Sequence, residues 1–155
     1  MDENRTGQQS PEQQSLHGVG VSPGRVIAPL VHMAPAVTEP PEGDPLTGDP
    51  EAAVDRLKAA ALAVKAELTE RAARARSESA AEVLKATALM AGDRALTKNA
   101  GKLVAAQQLS PERALWQAAT AYADQMRAMG GYMAERAADI EDVRARIVAQ
   151  LRGED

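Results

Sequence analysis

Histidine, the side chain best suited to moving protons near neutral pH, occurs only at His17 and His32. Both stand in a stretch punctuated by glycine and proline, and neither follows a glutamate by three residues on a helix. The Glu-x-x-His pairs with which helical bundles build di-metal sites are therefore missing. The chain has no cysteine, which removes thiol nucleophiles, thiolate zinc sites and disulfides together and fits a cytoplasmic setting. Ser22 precedes Pro23-Gly24, the order of a turn, and no helical base lies near it in sequence. Gly130-Gly131-Tyr132 lacks the lysine and hydroxyl that a phosphate-cradling loop places after its glycines, so it reads as a helix break. No catalytic residue and no metal ligand is assigned. The one dense group of charges is Glu135-Arg136-Ala137-Ala138-Asp139-Ile140-Glu141-Asp142. Glu135 and Asp139 are four apart on one helical face and Arg136 precedes Asp139 by three, the spacing of an exposed ion-pair ladder.

The elements that position these residues follow from periodicity. Residues 1–15 are polar and glutamine-rich, neither signal peptide nor membrane span, and are expected to be a disordered tail. Residues 16–33 mix Val, Ile and Leu with Gly18, Gly20, Pro23, Gly24 and Pro29, which predicts two short strands joined by the Ser22-Pro23-Gly24 turn. Residues 34–49, rich in Pro, Gly and acids, predict a linker. Residues 50–153 predict helices. The first has Asp49 as N-cap, Pro50 at its first position, and the stripe Val54, Leu57, Ala61, Val64 and Leu68, running to about Ser77. A second, near 79–91, carries Val83, Leu84, Thr87 and Met90 on one side until Gly92-Asp93 interrupts it. A short third segment over 94–107 follows, with Leu96, Leu103 and Val104. Ser110-Pro111-Glu112 repeats the cap, proline, acid order ahead of Leu115, Ala118, Tyr122, Met126 and Met129. After Gly130-Gly131, Met133, Ala137, Ile140, Val143, Ile147 and Leu151 mark a last helix.

Composition agrees with that reading. A chain of 155 residues holds one core. Hydrophobic residues make up 45% and charged residues 26%, while aromatics are 2% and phenylalanine is absent, so the core is aliphatic and alanine-rich. Alanine favours helix and lets helices approach closely. The fold class is accordingly mainly α: an up-and-down bundle of about four helices, the second kinked, with a two-strand N-terminal appendage. Net charge is −4 and no Lys/Arg block is present, which argues against nucleic acid as a partner; no stretch argues for a membrane.

Three stretches carry a family resemblance. Gly18-Val19-Gly20-Val21-Ser22-Pro23-Gly24-Arg25-Val26-Ile27-Ala28 resembles the opening of Enzyme I of the bacterial phosphoenolpyruvate:sugar phosphotransferase system. Ala86-Thr87-Ala88-Leu89-Met90-Ala91-Gly92-Asp93 is similar to the helix-kink-helix region with which that family receives its phosphocarrier protein, HPr. The run from Glu135 to Val143 is similar to the charged stretch in the last helix of the family's helical subdomain. The resemblance implies that residues 50–153 form the HPr-binding subdomain of a phosphoenolpyruvate-protein phosphotransferase. It also implies that residues 16–33 belong to an α/β subdomain whose other strands come later in the chain.

In the family, phosphoenolpyruvate phosphorylates a histidine that follows Gly-Gly-x-Thr-Ser. Neither His17 nor His32 stands in that motif, so the resemblance implies a chain that ends before the histidine and is inactive alone. Magnesium is expected only for the complete enzyme. The resemblance further implies that Leu89, Met90 and Leu96 are apolar HPr contacts and that Glu78 and Asp93 face a basic HPr surface. Glu135, Arg136 and Asp139 would form a subdomain interface with the α/β subdomain, in the missing C-terminal part of Enzyme I. Ser79, Lys85 and Ala95 stand where acids are common in the family, which implies weaker electrostatic steering of the encounter. The competing class is a non-enzymatic helical adaptor using the same faces.

Overall fold

The computed structural model describes residues 36–154 together with Val19, Pro23, Gly24, Ile27 and Pro29. The expected tail over 1–15 and the two strands expected over 16–33 thus lie outside the described residues, apart from those five positions. The chain divides into two units, Met1–Ala34 and Pro35–Asp155, and the helices of the described residues belong to the second.

Among the described residues six helices follow one another: α1 (Pro50–Ala73), α2 (Glu78–Ala91), α3 (Arg94–Gln107), α4 (Pro111–Met129), α5 (Gly131–Glu135) and α6 (Ala137–Arg152). α2 and α3 are two arms of one bent helix, with a bend of 35°. The bundle therefore has four members, with α5 as a single turn between the last two. α1 packs on α2, α3 and α6, and α4 packs on α3 and α6, closing the ring. Short connections between successive helices make neighbours antiparallel.

The helix starts obey their sequence signals. Asp49 Oδ2 accepts a hydrogen bond from Ala52 N at 2.8 Å, with Pro50 and Glu51 in the first turn. Ser77 Oγ accepts from Ala80 N at 3.2 Å, so α1 ends at Ala73 and Ser77 caps α2 instead of closing α1. Gly130 and Gly131 both adopt positive φ, 69° and 54°, which breaks the helix between α4 and α5.

Burial corrects the expected stripes in four places. In α1, Leu57, Ala61, Val64 and Leu68 are buried as expected, while Val54 is half-buried. In α2 the buried face is Ala88 and Ala91; Val83 is exposed and Leu84, Thr87 and Met90 are half-buried. In α4, Ala114, Leu115, Ala119, Ala123 and Met126 are buried, whereas Ala118 and Tyr122 flank the core and Met129 is exposed. Met133 lies in α5, outside the last helix, and is exposed. In α1, α2 and α4 the reason is the same: close to half of the core is alanine, so the inward face is set by close helix approach more than by the largest side chains.

Residues 36–49 are extended and held on the bundle. Leu46 N donates to Gln108 O at 2.7 Å and Ser110 N to Asp44 O at 2.8 Å, around the antiparallel bridge of Pro45 with Leu109. Arg113 donates to Pro40 O at 3.0 Å and pairs with Glu39 at 2.6 Å, and Pro40 is buried. The segment expected as a linker is a strap across the α3–α4 corner. On the α4–α6 seam the Arg144 guanidinium lies 3.8 Å from the Trp116 ring centroid and donates to Thr120 Oγ1 at 2.7 Å. Burial lowers the pKa of Arg144 from its ordinary value, Glu141 and Glu39 opposing.

Candidate docking surface

The bend between α2 and α3 is built from two polar backbone closures. Gly92 N donates to Ala88 O and Asp93 N to Met90 O, each at 3.1 Å, which ends α2. Asp93 then turns extended, with φ −68° and ψ 118°, and its Oδ1 accepts from Ala95 N at 2.7 Å as the N-cap of α3. One short acid thus both breaks a helix and starts the next.

Four of the five expected docking residues lie around this bend, and Glu78 stands at the far end of α2. Glu78 is the first residue of α2 and is exposed, where its charge suits the helix N-terminus. Leu89 is 70% exposed, the most exposed large apolar side chain of the helices. Met90 is half-buried against the core and its sulfur receives Arg136 Nη2 at 3.9 Å. Asp93 is half-buried. Leu96 differs from the expectation of a surface contact: it is 3% exposed and belongs to the core, because it points inward from the first turn of α3. Asp93 and Leu96 do line a common groove between α3 and α4, of about 430 Å³, with Leu103 and Tyr122. Glu78, Leu89 and Met90 stand outside that groove. Tyr122, one of two tyrosines, was read in the sequence only as a core stripe residue; its half-exposed ring is the feature missed.

The charged run at the α5–α6 junction is largely consumed by local pairs. Arg136 pairs with Asp139, donates to Tyr132 Oη at 2.7 Å and sits 5.7 Å from the Tyr132 ring centroid. The Tyr132 hydrogen bond first, and the Asp139 one second, raise the Arg136 pKa. Arg127 of α4 pairs with Glu141 at 2.7 Å, which with Asp124 raises its pKa, and Arg146 pairs with Asp142 at 2.8 Å. Glu135 is exposed and has no ion-pair partner among the described residues. The Arg136–Met90 contact brings together two sites that are 46 residues apart in sequence. His17 and His32 lie outside the described residues. Among the described residues no group of three or more His, Cys, Asp or Glu side chains is placed to hold a metal, and no helix is long and apolar enough to cross a membrane.

Comparison with known proteins fits this geometry. The family of PEP-utilising enzymes, N-terminal, matches residues 17–136. Over 139 residues the chain is 40% identical to a phosphoenolpyruvate-protein phosphotransferase of Streptomyces coelicolor, an alignment covering 90% of this chain and 25% of that protein. The chain thus spans about a quarter of that relative's length. An NMR solution structure of Enzyme I shares the fold with a TM-score of 0.62 and 23% identity, over 67% of this chain and 44% of that one. The matched stretch takes in the strap, the bend and the junction that carries Arg136, and on that extent this chain belongs to the PEP-utilising enzyme N-terminal family.

Proposed function

We propose that this chain is the HPr-docking part of a phosphoenolpyruvate-protein phosphotransferase, serving phosphoryl transfer from phosphoenolpyruvate to HPr for sugar uptake. The observation that carries the reading is Leu89, held 70% exposed three residues ahead of the helix bend that Asp93 caps. A large aliphatic side chain displayed to solvent on a helix is an apolar feature that a partner can cover. Glu78 and Asp93 supply acids for a basic partner; Met90 is held half-buried against the core and Arg136, and Leu96 contributes only the groove floor. Transfer chemistry belongs to a histidine within Gly-Gly-x-Thr-Ser-His, a motif this sequence does not contain. In this reading the chain needs no cofactor of its own, magnesium acts in the complete enzyme, and the setting is the cytoplasm. Glu135 and the outer side of the Arg136–Asp139 pair would meet the remainder of Enzyme I.

Titration of the chain with HPr by calorimetry tests the reading. Leu89→Ala is expected to weaken binding by about 1–2 kcal/mol, some 5- to 30-fold, with little change in stability. Absence of HPr binding by the folded chain would refute it and leave the adaptor class.

A further inference from the structure

A second groove lies between α1 and α3, has a volume of about 730 Å³, and has a different chemistry from the α3–α4 groove. Its floor is apolar and small, formed by Val54, Ala61, Leu62, Gly101 and Ala105. Gly101 keeps the floor low: a Cβ there would sit 3.5 Å from both Val54 methyls. Leu62 is 61% exposed within it. The rims are uniformly basic, Lys58 and Lys65 from α1 facing Arg94, Lys98 and Lys102 from α3, and no acid lines the groove. This occurs in a chain of net charge −4.

The rim is electrostatically costly for the isolated fold. Arg94, Lys98 and Lys102 repeat every four residues, so like charges stack along one helix face. Arg94 and Lys98 also lie in the first turns of α3, where the helix dipole disfavours cations. Lys58 pairs with Asp55, but among the described residues the other four have no carboxylate within 4.0 Å. From Arg94 to Ala105 the groove follows about three turns, ~16 Å at 1.5 Å per residue.

We propose that the α1–α3 groove docks an acidic amphipathic helix of about three turns presented by a partner protein, with apolar side chains on the Leu62–Gly101 floor and carboxylates along both basic rims. A single-headed anionic amphiphile would satisfy cations at one end only, whereas here they are spread along both walls. A basic partner such as the one proposed for the α3–α4 side would be repelled, so this surface calls for a different partner, although Lys102 edges both grooves.

The test uses the full chain and a designed helical peptide of about 14 residues, with leucines every three or four positions and glutamates on both flanks. Binding is followed by fluorescence anisotropy and located by amide chemical shifts. The peptide is expected to bind with shifts confined to α1 and α3. Replacing its glutamates by lysines is expected to abolish binding. Arg94→Glu with Lys98→Glu, which places acids where the dipole favours them and so keeps the fold, is expected to weaken binding by about tenfold or more. Leu62→Ser, at an exposed position, is expected to weaken it as well. No binding, equal affinity for the lysine peptide, shifts on another face, or dodecanoate filling the groove with the peptide unable to compete would each overturn the proposal.

Discussion

Ser110 is the most informative single position in the bundle, because one hydroxyl does two jobs at 7% exposure. It accepts a hydrogen bond from Arg113 N at 3.1 Å as the N-cap of α4, and it donates to Asp44 Oδ2 at 2.6 Å, tying the strap to the helix start. Ser110→Ala removes both. Loss of the cap costs about 1 kcal/mol, within a usual range of ~0.5–2. Loss of the hydroxyl–carboxylate bond costs about 1 kcal/mol more, below the ~1.5–3 typical of a charge-assisted bond because half-buried Asp44 regains water. The expected total is about 2 kcal/mol, a fall in Tm of roughly 6–10 °C for a bundle of this size, measured by calorimetry and by urea unfolding at unchanged m-value. The Ser110 N to Asp44 O bond survives the substitution, so the strap loosens without leaving. Ser110→Asp separates the two jobs: it keeps a good cap but sets a carboxylate against Asp44, and is expected to be no more stable than Ser110→Ala. A loss below ~0.5 kcal/mol in Ser110→Ala, or additive effects of Ser110→Ala and Asp44→Ala in a double-mutant cycle, would refute the reasoning.

Leu96→Ala is expected to cost about 2–5 kcal/mol of stability, as a core truncation, while Leu89→Ala costs less than ~0.5; the reverse order in thermal unfolding would contradict the burial of α3. Gly130→Ala, at φ 69° and ψ −175°, is expected to destabilise by about 1–3 kcal/mol, because that backbone region is almost closed to residues with a Cβ; an unchanged Tm would show that the elbow relaxes. Incubated with phosphoenolpyruvate and magnesium, this chain alone is expected to acquire no acid-labile phosphoryl group, and mass spectrometry finding stoichiometric phosphohistidine at His17 or His32 would overturn that.

The helix starts at Pro50 and Pro111 and the bend at Gly92-Asp93 were legible in the sequence because their causes are local. A cap side chain bonds a backbone N–H two or three residues away, and proline fixes its own φ, so Asp49-Pro50 and Ser110-Pro111 act before any tertiary contact forms. Family membership was legible for a related reason: the motifs carrying it are contiguous runs, from Ala86 to Asp93 and from Glu135 to Val143. Which face of each helix turns inward was decided by packing. An alanine-rich helix offers several apolar stripes of nearly equal hydrophobicity, and the close approach of neighbours selected Ala88 and Ala91 over Val83, and Ala119 and Ala123 over Ala118 and Tyr122. For the same reason Leu89 and Leu96, alike in sequence, parted company, one to solvent and one to the core. The strap, the Met90–Arg136 contact and the two grooves join residues tens of positions apart, with no local signal to announce them. Only the folded bundle brought Lys58 and Lys65 opposite Arg94 and Lys98, and turned scattered surface cations into one continuous rim.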